Sequence, residues 1–151
     1  MAELERLVAL VGPTGVGKSR VAIELAAALQ AEIVSADSRL IYRGMDIGTA
    51  KPNRELRQRA PHHLIDVAEP DENWSLATFK RAAEAAIQEI QARGRLPLLV
   101  GGTGQYVTAV LEGWSPPGQQ PGRELRDSYE ALAAAEGADE LHRRLQAVDP
   151  E

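Results

Sequence analysis

The chain has 151 residues, 44% of them hydrophobic and 26% charged, which suits one globular domain with a buried core, or one domain plus the start of another. It contains no cysteine, so disulfides, a thiol nucleophile and a cysteine zinc site are excluded, and nothing argues for an oxidising compartment. A net charge of -5 speaks against indiscriminate nucleic-acid binding, although an average conceals local patches.

The N-terminus, MAELERLVAL, carries acids and a short apolar run, so it is expected as a core strand and not as a signal peptide. No stretch approaches membrane-spanning length, and a cytoplasmic protein with no membrane partner is the simplest expectation. The apolar run from Leu7 to Val11 leads directly into Gly12-Pro13-Thr14-Gly15-Val16-Gly17-Lys18-Ser19. That octapeptide fits the phosphate-loop pattern G-x-x-x-x-G-K-S/T without a mismatch. Its glycines let backbone N–H groups turn inward around an anion, the following helix aims its positive dipole end at the same point, and Lys18 adds a full charge. The Ser19 hydroxyl can be offered to a magnesium ion. Such a loop reads as a diphosphate or triphosphate site, without saying which, or which bond breaks.

Ser19 to Gln30 places Val21, Leu25, Ala28 and Leu29 at helical spacing, which predicts a helix packed on a sheet. A strand follows over Ala31 to Ala36 and ends at Asp37. Ligands in open α/β sheets sit beyond the carboxyl ends of the strands, so Asp37, Ser38 and Arg39 are expected at the mouth of the phosphate loop. From position alone, the Asp37 carboxylate could hold magnesium, cap a helix or take a proton from a nucleophile.

The connection that follows is basic: between 39 and 59, Arg39, Arg43, Lys51, Arg54, Arg57 and Arg59 face only Asp46 and Glu55. Beside a phosphate site it could grip a polyanion such as RNA, or it could simply be a solvated helix around Asn53 to Ala60. Leu64 to Val67 reads as a strand, and His62 and His63, pointing to opposite faces, are expected in hydrogen-bonded structural roles and not on one metal ion. Ser75 to Arg93 is the clearest helix, with Leu76, Phe79, Ala83, Ile87 and Ile90 on one face, Ser75 as its cap and Gly94 at its stop. The strand Leu96 to Val100 delivers Gly101-Gly102-Thr103-Gly104 to the same mouth, where Thr103 can meet an anion ahead of a helix over Gln105 to Leu111. From Gly113 the chain becomes proline-rich, then charged and alanine-rich, which predicts a linker over 114–122 and a helical segment over 123–151 with a break at Gly137.

GPTGVGKS, DSRLIYRGMDIGTAKP, PHHLID and LPLLVGGTGQYVTAVLEG together resemble the tRNA dimethylallyltransferase (tRNA isopentenyltransferase) family. The second segment is the most specific of the four. The resemblance is strong over Leu7 to Gly113 and looser in the tail. It implies an α/β, P-loop NTPase-like parallel sheet flanked by helices, with the start of a helical insertion domain. Strands are expected near 6–11, 32–36, 63–67 and 96–100, with residues 1–113 as an incomplete catalytic core.

The activity implied is transfer of a dimethylallyl group from dimethylallyl diphosphate to N6 of the adenosine beside the anticodon of tRNA. On that resemblance Gly12, Pro13, Thr14, Gly15, Val16, Gly17, Lys18 and Ser19 hold the diphosphate, with magnesium as cofactor near Ser19. Thr103 touches the diphosphate from the other side, Asp37 is the general base, and Asp37, Ser38, Arg39 and Leu40 correspond to the tRNA-contacting segment. The partner is the tRNA anticodon stem-loop, and a monomer is expected. Family members run to about double this length, so the chain is expected to be a fragment, possessing little or no turnover alone. A small-molecule or nucleoside kinase using ATP is the main rival, and a non-catalytic nucleotide-binding module is a second. A transferase acting on free adenine nucleotides would share the loop and the base.

Overall fold

The computed structural model describes residues 6–114 and 122–149. The expected linker over 114–122 therefore lies almost wholly outside the described residues. The chain divides into two compact units, 1–116 and 117–151.

In the first unit four parallel strands, β1 (Val8–Val11), β2 (Ala31–Ser35), β3 (His62–His63) and β4 (Leu96–Gly101), form one sheet in the order β1-β4-β2-β3. Three helices join them, α1 (Lys18–Leu29), α2 (Arg54–Arg59) and α3 (Leu76–Ala92), and α4 (Gly104–Leu111) follows β4. Leu98, Leu99 and Ile33 to Ser35 are buried, as a parallel sheet covered on both faces requires. On one face α3 and α4 pack Phe79, Ala83, Ile87, Ile90 and Tyr106 against Val34 and Leu99. Phe79 and Tyr106 stack there with ring centroids 3.9 Å apart. On the other face Ala22, Ile23 and Ala26 of α1 lie against Ile33, Leu98 and Val100, with Leu56 of α2 beside them.

Register brings three strand ends to one level, because Val11 pairs with Gly101 while Ser35 pairs with Val100. The loops after β1, β2 and β4 therefore open at one end of the sheet. Gly101 makes this close approach possible, since a side-chain carbon there would overlap the Ala36 carbonyl.

Three expectations are corrected. The strand over 63–67 is only the pair His62–His63, because Leu64 and Asp66 adopt left-handed backbone (φ 61° and 57°) and turn the chain out of the sheet. The helix face predicted to meet the sheet is the wrong one: Ala22, Ile23 and Ala26 are buried, whereas Val21 and Leu29 are 45% and 48% exposed. Small alanines let α1 sit close to the strands; of the bulkier stripe only Leu25 packs against this core, while Val21 and Leu29 point away. Thirdly, β1 lies at the edge of the sheet formed by the described residues, with Val8 and Val11 38% and 55% exposed and only Leu10 packed on the core.

The second unit is a hairpin of α5 (Arg123–Glu136) and α6 (Ala138–Val148), broken at Gly137 as expected and with no buried residue in either helix. No described helix is long and apolar enough to cross a membrane.

Candidate active site

The phosphate loop leaves β1 through glycines that adopt left-handed backbone, Gly15 at φ 86° and Gly17 at φ 87°, where an L side chain would be strained. Gly17 caps α1, so the first free amides of that helix face the loop. The Lys18 ammonium donates to the Pro13 carbonyl at 2.7 Å, folded across the loop it would serve. Gly102 lies against both partners: a side-chain carbon there would stand 3.2 Å from the Gly12 carbonyl and 3.8 Å from Lys18 Nζ. The loops after β1 and β4 thus meet with no side chain between them.

Asp37 accepts the backbone N–H of Arg39 at 2.9 Å, which shapes the tight turn after β2 and leaves its second carboxylate oxygen without a protein donor among the described residues. Thr103 caps α4 by position, but its hydroxyl accepts the Ser38 backbone N–H at 3.1 Å. It joins two loops, and it is not among the residues lining the cavity described next.

A cavity of about 380 Å³ opens at this mouth. Thr14, Gly15, Gly17, Lys18, Ser19 and Asp37 form its polar rim, while Ala22, Ile33, Leu40, Leu56, Ile65 and Val100 make an apolar lining. The buried Ser35 hydroxyl, without a hydrogen-bond partner, also belongs to this lining. Gly12, Pro13 and Val16 belong to the same loop but not to the lining. Of the four residues expected to contact tRNA, Arg39 is exposed and Ser38 half-buried, while Leu40 is 8% exposed and lines the cavity.

The basic segment is less free than its composition suggests. Lys51 is paired with Asp46 and Asp66, Arg57 with Asp66, and Arg43 with Glu69. Arg39, Arg54 and Arg59 have no ion pair among the described residues. The two histidines keep separate partners: His62 Nδ1 bonds the Ala60 carbonyl, and His63 Nε2 the Glu32 carboxylate, both at distances of 2.7–2.8 Å. Burial, with the nearby Arg57 and His63 charges, holds His62 below the usual histidine range despite that carbonyl. No group of three or more His, Asp or Glu side chains able to cage a metal occurs among the described residues.

Sequence reasoning missed the cavity lining, although its signal was present. Ile33, Ser35 and Asp37 alternate along one strand and its extension, so a period of two puts all three on one face.

A parallel sheet with helices on both faces and a phosphate loop at the carboxyl ends of its strands defines an α/β protein of P-loop NTPase-like fold. The model of the IPP transferase family matches residues 40–151, and the chain belongs to that family. It is 57% identical over 145 residues to a tRNA dimethylallyltransferase of Herpetosiphon aurantiacus, covering 96% of this chain and 46% of the relative. With one from Chloroflexus aurantiacus the identity is 58%, over 97% of this chain and 50% of the relative. Among solved structures it is similar to the full-length tRNA isopentenylpyrophosphate transferase of Bacillus halodurans, at 46% identity and TM-score 0.74, covering 98% of this chain and 49% of that one. A eukaryotic dimethylallyltransferase acting on tRNA matches at 27% identity and TM-score 0.79, over 96% of this chain and 36% of that one. The chain spans about half the length of the curated relatives it matches.

Proposed function

We propose that this chain is the donor-binding half of a tRNA dimethylallyltransferase. The observation that carries this reading is the cavity itself, whose lining combines Thr14, Gly15, Gly17, Lys18 and Ser19 of the loop with the apolar Ala22, Ile33, Leu40, Leu56, Ile65 and Val100. An amphiphilic diphosphate has that division of character: a charged head for the loop amides and Lys18, and a short branched hydrocarbon for Ala22, Ile33 and Leu56. Membership of the IPP transferase family supports the same donor, and the relatives named above act on tRNA.

In the reaction proposed, adenosine N6 attacks the first carbon of the dimethylallyl group, and the bond from that carbon to the diphosphate oxygen breaks. The N6 proton passes to the Asp37 carboxylate, and the diphosphate leaves with the electron pair. An exocyclic amine conjugated with its ring is a poor nucleophile, so a placed base contributes directly to the rate. Lys18 and the loop amides stabilise the charge growing on the leaving group. Thr103 accepts the Ser38 N–H and so fixes the Asp37 turn, and in this reading its hydroxyl also touches the diphosphate from the side opposite the loop.

Magnesium fits this set, because that ion takes one or two protein oxygens and completes its shell with phosphate and water. Ser19 would hold it, and it would neutralise diphosphate charge. Within 39–59, Arg39, Arg54 and Arg59, without an ion pair among the described residues, would meet the RNA backbone, and a cytoplasmic setting suits that acceptor.

Calorimetric titration in magnesium tests the donor, comparing dimethylallyl S-thiolodiphosphate, which does not react, with a non-hydrolysable ATP analogue. The expected result is tighter binding of the prenyl compound, lost in Lys18→Ala. Tighter binding of the ATP analogue would replace this reading with a kinase.

A further inference from the structure

Lys51 is the most deeply held cation of the first unit. Its side chain is 3% exposed, and its ammonium donates to the Tyr42 carbonyl at 2.8 Å, to Asp46 at 2.8 Å and to Asp66 at 2.6 Å. All three of its protons are therefore used. The other Asp66 oxygen takes Arg57 at 2.7 Å, Arg57 Nε donates to the Pro52 carbonyl, and Arg43 Nε to the Asp66 carbonyl. Burial alone would lower the Lys51 pKa, but Asp46 and Asp66 outweigh it and keep the ammonium charged.

This network lines a neighbouring cavity of about 500 Å³ that shares Pro52 with the first. Lys51 is absent from the lining of the first cavity, yet its neighbours Thr49, Ala50 and Pro52 are part of it. Two residues of the segment it ties down are in left-handed backbone without being glycine: Ala50 (φ 55°) and Asp66 (φ 57°). Such conformations persist only where the surroundings enforce them. A polar clamp of this kind, built on a loop with little apolar burial of its own, is a means of fixing a wall.

We propose that Lys51, through Asp66, is a positioning residue that sets the cavity wall against the hydrocarbon part of the donor. The proposal rests on the donor reading given above. It separates the two halves of the ligand: the phosphate loop alone holds the diphosphate, and the 49–52 wall senses the tail.

The test is calorimetric titration of wild type, Lys51→Met and Asp66→Asn with two probes in magnesium, inorganic pyrophosphate and dimethylallyl S-thiolodiphosphate. Lys51→Met is expected to weaken the prenyl probe by about ten-fold or more while pyrophosphate affinity stays within about two-fold. Asp66→Asn keeps the shape and removes the charge, so a smaller loss in the same direction is expected. It also decides the matter should circular dichroism show Lys51→Met unfolded. A purely structural role would lower the melting temperature and leave the ratio of the two affinities unchanged at temperatures where the variant is folded. An unchanged ratio in Asp66→Asn, or equal loss of both probes, overturns the proposal. A wild type that binds both probes equally would instead overturn the donor reading, before any variant is compared.

Discussion

Gly101 allows no side chain, because a Cβ would overlap the Ala36 carbonyl of the neighbouring strand end. Gly101→Ala is expected to cost about 1–3 kcal/mol in urea unfolding, and to loosen the Thr103–Ser38 bond that joins two loops of the site. Glu32 offers a pH test at the opposite end of the sheet. Burial would raise its pKa, but hydrogen bonds from Arg93 and His63 outweigh this and hold its carboxyl below the ordinary 4.5. A depressed carboxylate stabilises the fold above its unfolded pKa, and that contribution disappears as pH falls through the folded value. Stability of wild type should thus decline below about pH 5, and Glu32→Gln should flatten that decline in urea titrations taken at successive pH values. Residues such as Lys18 and Asp37 were legible because a motif or a strand end marks them. Lys51 and Asp66 were not, since their pairing depends on how two irregular segments return to each other, and no periodicity connects them.

Among the elements, α3 was the most legible. Its apolar residues recur with helical spacing, and Ser75 caps it by accepting the Thr78 N–H at 3.1 Å. Ser75→Ala should cost about 1 kcal/mol, read by thermal or urea unfolding. The segment after β3 misled because Leu64-Ile65-Asp66-Val67 is short and rich in the apolar residues that strands favour. Its backbone turns at Leu64 and Asp66, and Asp66 meets Lys51 and Arg57, so tertiary ion pairing prevails over local pattern. α1 misled for a different reason. It has apolar residues almost all round, and a helix of that kind is normally covered on more than one side.

For the whole molecule, handedness says where the cover would lie. β1 to β2 crosses by α1 on one face, and β3 to β4 returns by α3 on the other, so both crossovers have the same hand. α4 shares the face of α3, and a strand reached after it with that hand lands beyond β1. There it would pair with the open edge of Val8–Val11, whose Val8 and Val11 are exposed. The relatives are about twice as long and contain sequence that could supply it. Hydrogen exchange should therefore find the β1 amides that face away from β4 poorly protected in this chain alone. They should slow at least ten-fold once the chain is paired with the half of the Herpetosiphon aurantiacus relative that it does not span.

That reassembled pair also permits the most direct test of the account, which is the rate of dimethylallyl transfer to tRNA by wild type and by Asp37→Asn. The wild-type pair is expected to transfer the group to adenosine N6, and Asp37→Asn to lose about 10²–10⁴-fold in rate with the donor analogue still bound. Undiminished transfer by Asp37→Asn would contradict the role given to Asp37.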